Sequence, residues 1–363
     1  MDTLIVRPSD LRRLIEIVGR DGIMDEMIAA LTKALIAVSA TKQDLRVRDG
    51  FHYERPHPGV LEWMPHMPPD GHPTIKVVGY NPSNPTLGAF PTIFSTLSQF
   101  DHATGHLEAV IDGVFLTALR TGAASAIASG ILAKPNSSVI GLVGCGAQAV
   151  TQLHALSRIF PLHTALVFDI NPGASESLRR RASFIPIDIR VARLQEIESA
   201  CDIICTATTV ARGCGPVLPG EALQGHVHIN AVGSDLPNKT EIPLSVLRVS
   251  VVCPDFLPQA LVEGECQQLR PEEIGPDLSD LTGRPHDFIP LRYRQTVFDS
   301  TGFALEDNVA ASLVLRWAAE YRLGTFISVE HSPADPLNPY DFSQLNSHSE
   351  TLAGCLAKEG AAV

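Results

Sequence analysis

The stretch SSVIGLVGCGAQAVTQLHALSRIF, residues 137–160, constrains the fold of this chain more than any other. A continuous apolar run stops at Gly144-Cys145-Gly146-Ala147-Gln148-Ala149, a GxGxxA pattern, and a helix-forming segment begins at once. Apolar residues without alternation describe a strand buried on both faces, as in a parallel sheet covered by helices. Gly144 permits a tight turn, Gly146 lets backbone approach a pyrophosphate, and Ala149 allows the helix to pack closely on the strand. The free N–H groups and positive dipole end of that helix suit an anion. Alone, the pattern is weak, because a glycine-rich turn can precede an unrelated helix. It gains weight from the next apolar run, TALVFD, which ends in Asp169. A carboxylate there can accept from both hydroxyls of a ribose and repels a 2′-phosphate. The expected cofactor is therefore NAD and not NADP.

The rhythm of apolar strand and helix continues through IDIRVA, DIICTAT, HVHINAVG, VSVVCPD and QTVFDS, which predicts an α/β, Rossmann-type region. A long helix is expected over 304–324. Upstream, residues 8–40 read as two helices, the first capped by Ser9. From 46 to 118, short β-like runs separated by Gly, Pro and Asn predict a meandering antiparallel sheet. The alanine-rich segment 116–133 is a good helix, ended by Lys134-Pro135-Asn136. Order is expected to end around Leu323-Gly324 and the later DPLNPYDF, and the small, polar residues beyond 342 predict a mobile tail.

Length and composition narrow the function classes. A chain of 363 residues with 45% hydrophobic and 19% charged residues is globular and long enough for two domains. A net charge of −12 without a lysine/arginine run argues against nucleic acid or an anionic membrane as partner. No unbroken apolar stretch approaches the roughly 18 residues of a membrane span, and the first residues lack the plan of a signal peptide. Seven scattered cysteines suit reduced thiols in a cytoplasmic protein, with Cys201 and Cys205 buried and inert. No metal site is expected: His226 and His228 share one face of a strand, but no third ligand is suggested.

Taken singly, some polar residues have ordinary explanations. Lys76, inside TIKVVGY, could snorkel or face solvent, and Arg120, in LTALRTGAAS, could sit on a solvated helix face. Asp235 stands just past the strand HINAVG, outside the carboxyl end where α/β sheets bind ligands, and so is well placed for chemistry.

Several segments together resemble the ornithine cyclodeaminase/mu-crystallin family: GVLEWMPH, TIKVVGYNPSNP, LTALRTGAASAIAS, GLVGCGAQAVTQLHALSRIFPL, HINAVGSDLPNKTEIP, EGECQQL and VFDSTGFALED. EWMPH, QALVEGECQQL, FDSTGFALED and VEHSPADPLNPY are similar to its lysine-cyclodeaminating branch. The resemblance implies a Rossmann NAD-binding domain (121–302) inserted in an α+β substrate and dimerisation domain (1–120). A segment at 303–341 returns to that domain, and 342–363 form the tail. Two-fold homodimers through the N-terminal sheet are implied as well.

The resemblance also implies roles. Arg48, Lys76 and Arg120 match the group that clamps the substrate carboxylate; Arg46 and Arg55 lie nearby, and register against GF and PG selects Arg48. Glu62 matches the acid near the substrate amine, Asp235 the catalytic acid/base, and Thr301 lies beside the substrate. Thr92, Arg120, Gly144, Gly146, Ala147, Gln148, Asp169, Thr208, Val232, Gly233, Ser234, Asp235, Lys239 and Ser300 match cofactor contacts. The implied reaction is conversion of a basic amino acid, L-lysine, to L-pipecolate and ammonia with NAD turning over catalytically. The alternatives are ornithine cyclodeamination to L-proline, net redox by an imine reductase or amino-acid dehydrogenase, and a non-catalytic crystallin-like binder.

Overall fold

The structure is a computed structural model that describes residues 2–342 except 42, 44, 70 and 89; the tail expected after 342 lies outside the described residues. Each apolar run after residue 137 is a strand, and seven of them form one parallel sheet. Across that sheet the strands run Val251–Pro254, Thr296–Asp299, His228–Ala231, Ile203–Thr206, Val139–Val143, Thr164–Phe168, Asp188–Val191. From Val139–Val143 the chain leads outward in one direction; from Ile203–Thr206 it leads outward in the other, except that the last strand of this sheet, Thr296–Asp299, inserts between His228–Ala231 and the edge strand Val251–Pro254. The crevice between the carboxyl ends of Val139–Val143 and Ile203–Thr206 is where such sheets bind ligands.

The runs between 49 and 112 form the expected antiparallel meander. Two strands that sequence reasoning did not anticipate extend it. Thr3–Val6 pairs parallel with Leu107–Asp112, and Thr325–Ile327 pairs antiparallel with Thr3–Val6. Both are short, and the second follows Gly324, which reads as a terminator rather than an entry to a strand. The first helix, Pro8–Val18, starts two residues earlier than a Ser9 cap would allow. Arg7 is its N-cap, Asp10 accepts from the Arg7 backbone at 2.9 Å, and Ser9 lies within the first turn. Pro8, with φ preset for a helix, fixes that start.

The inner face of the antiparallel sheet and the helices Arg20–Thr41, Val114–Leu132 and Ala304–Tyr321 share one core. Met27, Leu31, Ile111, Ala123 and Trp317 are almost fully buried in it. Val114–Leu132 is long and apolar enough to pass as a membrane span by composition, but it is a core helix. It packs on Ala147–Ile159 so closely that a Cβ on Gly122 would come within 2.7 Å of the Thr151 carbonyl oxygen. Val114–Leu132 touches Ile93–Phe100 of the antiparallel sheet and the strands His228–Ala231 and Thr296–Asp299 of the parallel one, so it ties the two sheets together.

Candidate active site

Alternation along the meander decides what faces the cleft. Glu62 and Met64 on the strand Gly59–His66, and Lys76 and Val78 on Thr74–Tyr80, point inward, with Met64 opposite Lys76 and Glu62 opposite Val78. Lys76 is 1% exposed, so neither a snorkelling nor a solvent-facing lysine describes it. Its Nζ lies 2.9 and 2.8 Å from the two carboxylate oxygens of Asp307. Arg120, buried in the helix Val114–Leu132, pairs with Glu306 at 2.5 Å and with Asp307 at 3.4 Å. Arg48 enters from the other side, 2.9 Å from Glu263 and 3.3 Å from Glu62, and donates to the carbonyls of Thr301 and Gly302. Arg46 and Arg55, its neighbours in sequence, are exposed.

Three cations therefore converge on one small chamber of about 60 Å³, with Met64, Val78 and Ile93 among its walls. Burial works against all three charges, but nearby carboxylates outweigh it at Arg48 and Arg120 and hold both guanidinium groups above their ordinary value, whereas at Lys76 burial wins. It pulls Lys76 down to about 8 despite the opposing pull of Asp307, and Arg120 adds to the depression. Burial pushes Glu263 up to about 8 against the stabilising charge of Arg48, and Glu306 up to about 8 against that of Arg120. The family resemblance picks out the three cations, but nothing in the sequence marks Glu263, Glu306 and Asp307 as their partners. Acids in the first turn of a helix, where Glu306 and Asp307 sit, are commonly explained by the helix dipole alone.

Asp235 borders this chamber and the neighbouring cavity. Its Oδ1 is 2.8 Å from Lys239 Nζ, which also lies 5.3 Å above the Tyr80 ring. Burial works against the Lys239 charge, but Asp235 and Tyr80 outweigh it and hold the ammonium group above its ordinary value. Ser300 and Thr301 complete the chamber; Thr301 Oγ donates to Asp255 at 3.0 Å, while Ser300 Oγ is buried with no partner among the described residues.

The chamber continues into a cavity of about 330 Å³ lined by Thr92, Ala147, Gln148, Thr208, Val232, Gly233 and Lys239. That cavity shares Gly146 and Thr208 with a further one of about 560 Å³, which Gly144 and Asp169 border. Together they form an elongated cleft along the strand ends, suited to a dinucleotide. Gly144 has φ +90°, and a Cβ there would lie 2.5 Å from the Ala207 carbonyl oxygen; at Gly146 the same position is open space. Asp169 accepts from the Cys145 backbone at 2.7 Å and so ties the glycine turn to the next strand. Ser234 lines none of these cavities: it is buried, and its hydroxyl donates to the Lys239 carbonyl, so any cofactor contact there falls to its backbone.

Elsewhere, His228 is buried and bonded to Thr296 Oγ at 2.8 Å, and burial lowers it to about 4. Among the described residues one histidine–carboxylate group, His72, Asp101 and Glu108, has ligand atoms within 4.8 Å of one another. There His72 Nδ1 lies 2.6 Å from a Glu108 carboxylate oxygen, and Asp101 caps its own turn.

A family model described as the ornithine cyclodeaminase/mu-crystallin family matches residues 10–320. The chain belongs to that family. Among its members, an L-lysine cyclodeaminase from Streptomyces rapamycinicus is 40% identical over 94% of this chain and 99% of its own. A solved lysine cyclodeaminase, described for its recognition of L-lysine, L-ornithine and L-2,4-diaminobutyric acid, aligns with TM-score 0.92 and 47% identity over 94% of this chain and 99% of its own. An archaeal alanine dehydrogenase, solved as a dimer with bound NAD, aligns with TM-score 0.81 and 30% identity over 91% of this chain and all of its own.

The glycine turn yields a direct test. Gly144→Ala forces a side chain into a left-handed conformation, worth about 1–3 kcal/mol, and against the Ala207 carbonyl as well. A clear fall in the thermal unfolding midpoint is expected, and an unchanged midpoint would contradict the turn described here.

Proposed function

We propose that this family member is an NAD-dependent cyclodeaminase that converts L-lysine to L-pipecolate and ammonia. The observation that carries the reading is a small chamber with three converging cations, bordered by Asp235, at one end of an elongated cleft suited to a dinucleotide. The lysine-cyclodeaminating relatives support the same reading. Bound NAD+ supplies reversible removal and return of a hydride at the amino acid's α-carbon, so the overall reaction is redox-neutral. The turn Gly144–Gly146 and the helix beginning at Ala147 suit its pyrophosphate, and Asp169 suits its adenosine ribose. Thr92, Gln148, Thr208, Val232, Gly233, Lys239 and Ser300 form the walls around the remainder.

The chain's own residues then have distinct tasks. Lys76, Arg120 and Arg48 bind the α-carboxylate through charge-assisted hydrogen bonds. Glu62, and Glu263 behind Arg48, balance that charge, and Glu62 stands on the side suited to the substrate amine. Asp235 moves protons at the two amines, with Lys239 poised to stabilise its carboxylate. Met64, Val78 and Ile93 exclude water, which would hydrolyse any C=N bond. The chamber also favours a folded-back side chain, which removes an entropic barrier to ring closure. Ornithine is the second substrate to compare, because one methylene is worth only about 1–3 kcal/mol in discrimination and a structural neighbour is described as recognising it.

The reading extends to assembly. The outer face of the meander exposes Phe51, Leu61, Val77 and Phe94, with Phe51 edge-on to Trp63 at 5.2 Å. Phe51, Leu61, Gly79 and Phe94 stand in one cross-strand row. A two-fold homodimer buries this face, residues 1–120 and 303–341 form the substrate and dimerisation unit, and 121–302 the cofactor unit, in a cytoplasmic enzyme. Leu61→Glu is expected to yield monomers by light scattering; an unchanged mass would remove this face from assembly.

Purified protein with L-lysine and a trace of NAD+ is expected to release ammonia and pipecolate in equal amounts without accumulating NADH. Steady NADH formation would instead indicate a dehydrogenase. Asp235→Asn is expected to lower kcat by at least about 100-fold and leave NAD+ binding nearly intact; full turnover would remove Asp235 from proton transfer.

Lys76 adds a pH signature. Its folded value, about 8, lies below that of a free lysine, so the charged form that binds carboxylate is present below that pH and lost above it. KM for the amino acid is expected to rise as pH climbs past about 8, and Lys76→Arg, which stays charged, to move that limb upward. A KM independent of pH between about 7 and 10 would speak against Lys76 as the carboxylate ligand.

A further inference from the structure

Beneath the cleft lie three fully buried carboxylates, Glu241, Glu265 and Asp299, none of which has a cationic ion-pair partner among the described residues. Each instead accepts backbone N–H groups. Asp299, ending the strand Thr296–Asp299, accepts from the backbone of Glu265 and Cys266, both at 2.8 Å. Glu265 accepts from the backbone of Glu241 at 2.7 Å and of Ile242 at 3.3 Å, and from the Gln268 amide at 2.8 Å. Glu241 accepts on one oxygen from Thr208 N and Oγ at 2.7 Å each, and on the other from Thr206 Oγ at 2.7 Å and Gly233 N at 2.8 Å. The chain of carboxylates thus ends at the two loops that form the cleft floor, after the strands Ile203–Thr206 and His228–Ala231.

Two glycines mark where it crosses the backbone. A Cβ on Gly233 would lie 2.4 Å from a Glu241 oxygen, and one on Gly264 2.7 Å from both oxygens of Asp299. The arrangement weighs against the folded state at neutral pH. Burial pushes Asp299 up to about 7 and Glu265 well above the ordinary carboxylate range.

We infer that Glu241 is a positioning residue: it fixes Thr208 and Gly233, and with them the loop carrying Asp235, while Glu265 and Asp299 fix Glu241. This rests on the proposed function of the cleft. The stereochemistry requires a carboxylate, because each Glu241 oxygen accepts one backbone N–H, of Thr208 or of Gly233. A glutamine would turn its amide N–H toward one of them, and a backbone N–H, unlike a threonine hydroxyl, cannot reverse to accept.

The test compares Glu241→Gln with Glu198→Gln. Glu198 is equally buried and clamps backbone N–H groups of Gly220 and Ala222, and none of these three residues borders the cleft. Wild-type protein must first bind NAD+ in a fluorescence titration; failure there overturns the proposed function and the inference with it. Both variants are expected to unfold at lower temperature. Glu241→Gln alone is expected to raise the NAD+ Kd about tenfold and to lower kcat tenfold or more, with the KM for lysine changed less than kcat. A folded Glu241→Gln with wild-type Kd and kcat, or equal losses in Glu198→Gln, would overturn it. If Glu241→Gln does not fold, Glu265→Gln, which loosens the backbone of Glu241 and Ile242 but leaves the Glu241 carboxylate itself unaltered, is judged by the same criteria.

Discussion

A lysine and two arginines cannot be withdrawn from water into a protein interior unless something meets their charge. Here that demand is met by four carboxylates from three places: Glu62 on the meander, Glu263 after the strand Val251–Pro254, and Glu306 and Asp307 at the start of the helix Ala304–Tyr321. Removing one member of such a pair leaves a bare buried charge, at a cost of about 3–5 kcal/mol. The chamber is therefore a point where the two sheets and the last long helix are obliged to meet in one register.

The same obligation explains how the parts divide the work. The parallel sheet offers a crevice with free backbone groups and a helix N-terminus, which suits an extended anionic ligand. The antiparallel sheet offers a flat inner face, where alternate residues stand far enough apart to hold a small zwitterion. Asp235 is supplied by the first sheet and looks toward groups supplied by the second. A proton carrier at such a seam reaches both ligands without belonging to either wall.

The architecture was largely legible in the sequence, because its signals are local. All seven strands of the parallel sheet were marked by apolar runs, and Gly144 by a turn that only glycine fits. The segments missed, Thr3–Val6 and Thr325–Ile327, exist through pairing with distant strands, which periodicity over four or three residues does not encode. The site divides in the same way. Spacing gave Lys76 and Arg120 no more than ordinary surface roles, and family likeness supplied their grouping. What draws them inward, Asp307, lies more than 180 residues away from both in sequence and reads as a helix-capping acid. Glu241 and Glu265 stood inside quoted motifs yet carried no visible role, since accepting a backbone N–H leaves no trace in residue type.

The meander is one residue thick. Lys76 and Val77 are consecutive, their α-carbons about 3.8 Å apart, yet one side chain faces the charged chamber and the other stands on the opposite, outer face of the sheet. No cushioning layer separates these surfaces. Whatever packs on the outside of this strand therefore packs on the same backbone that holds the ammonium group on the inside.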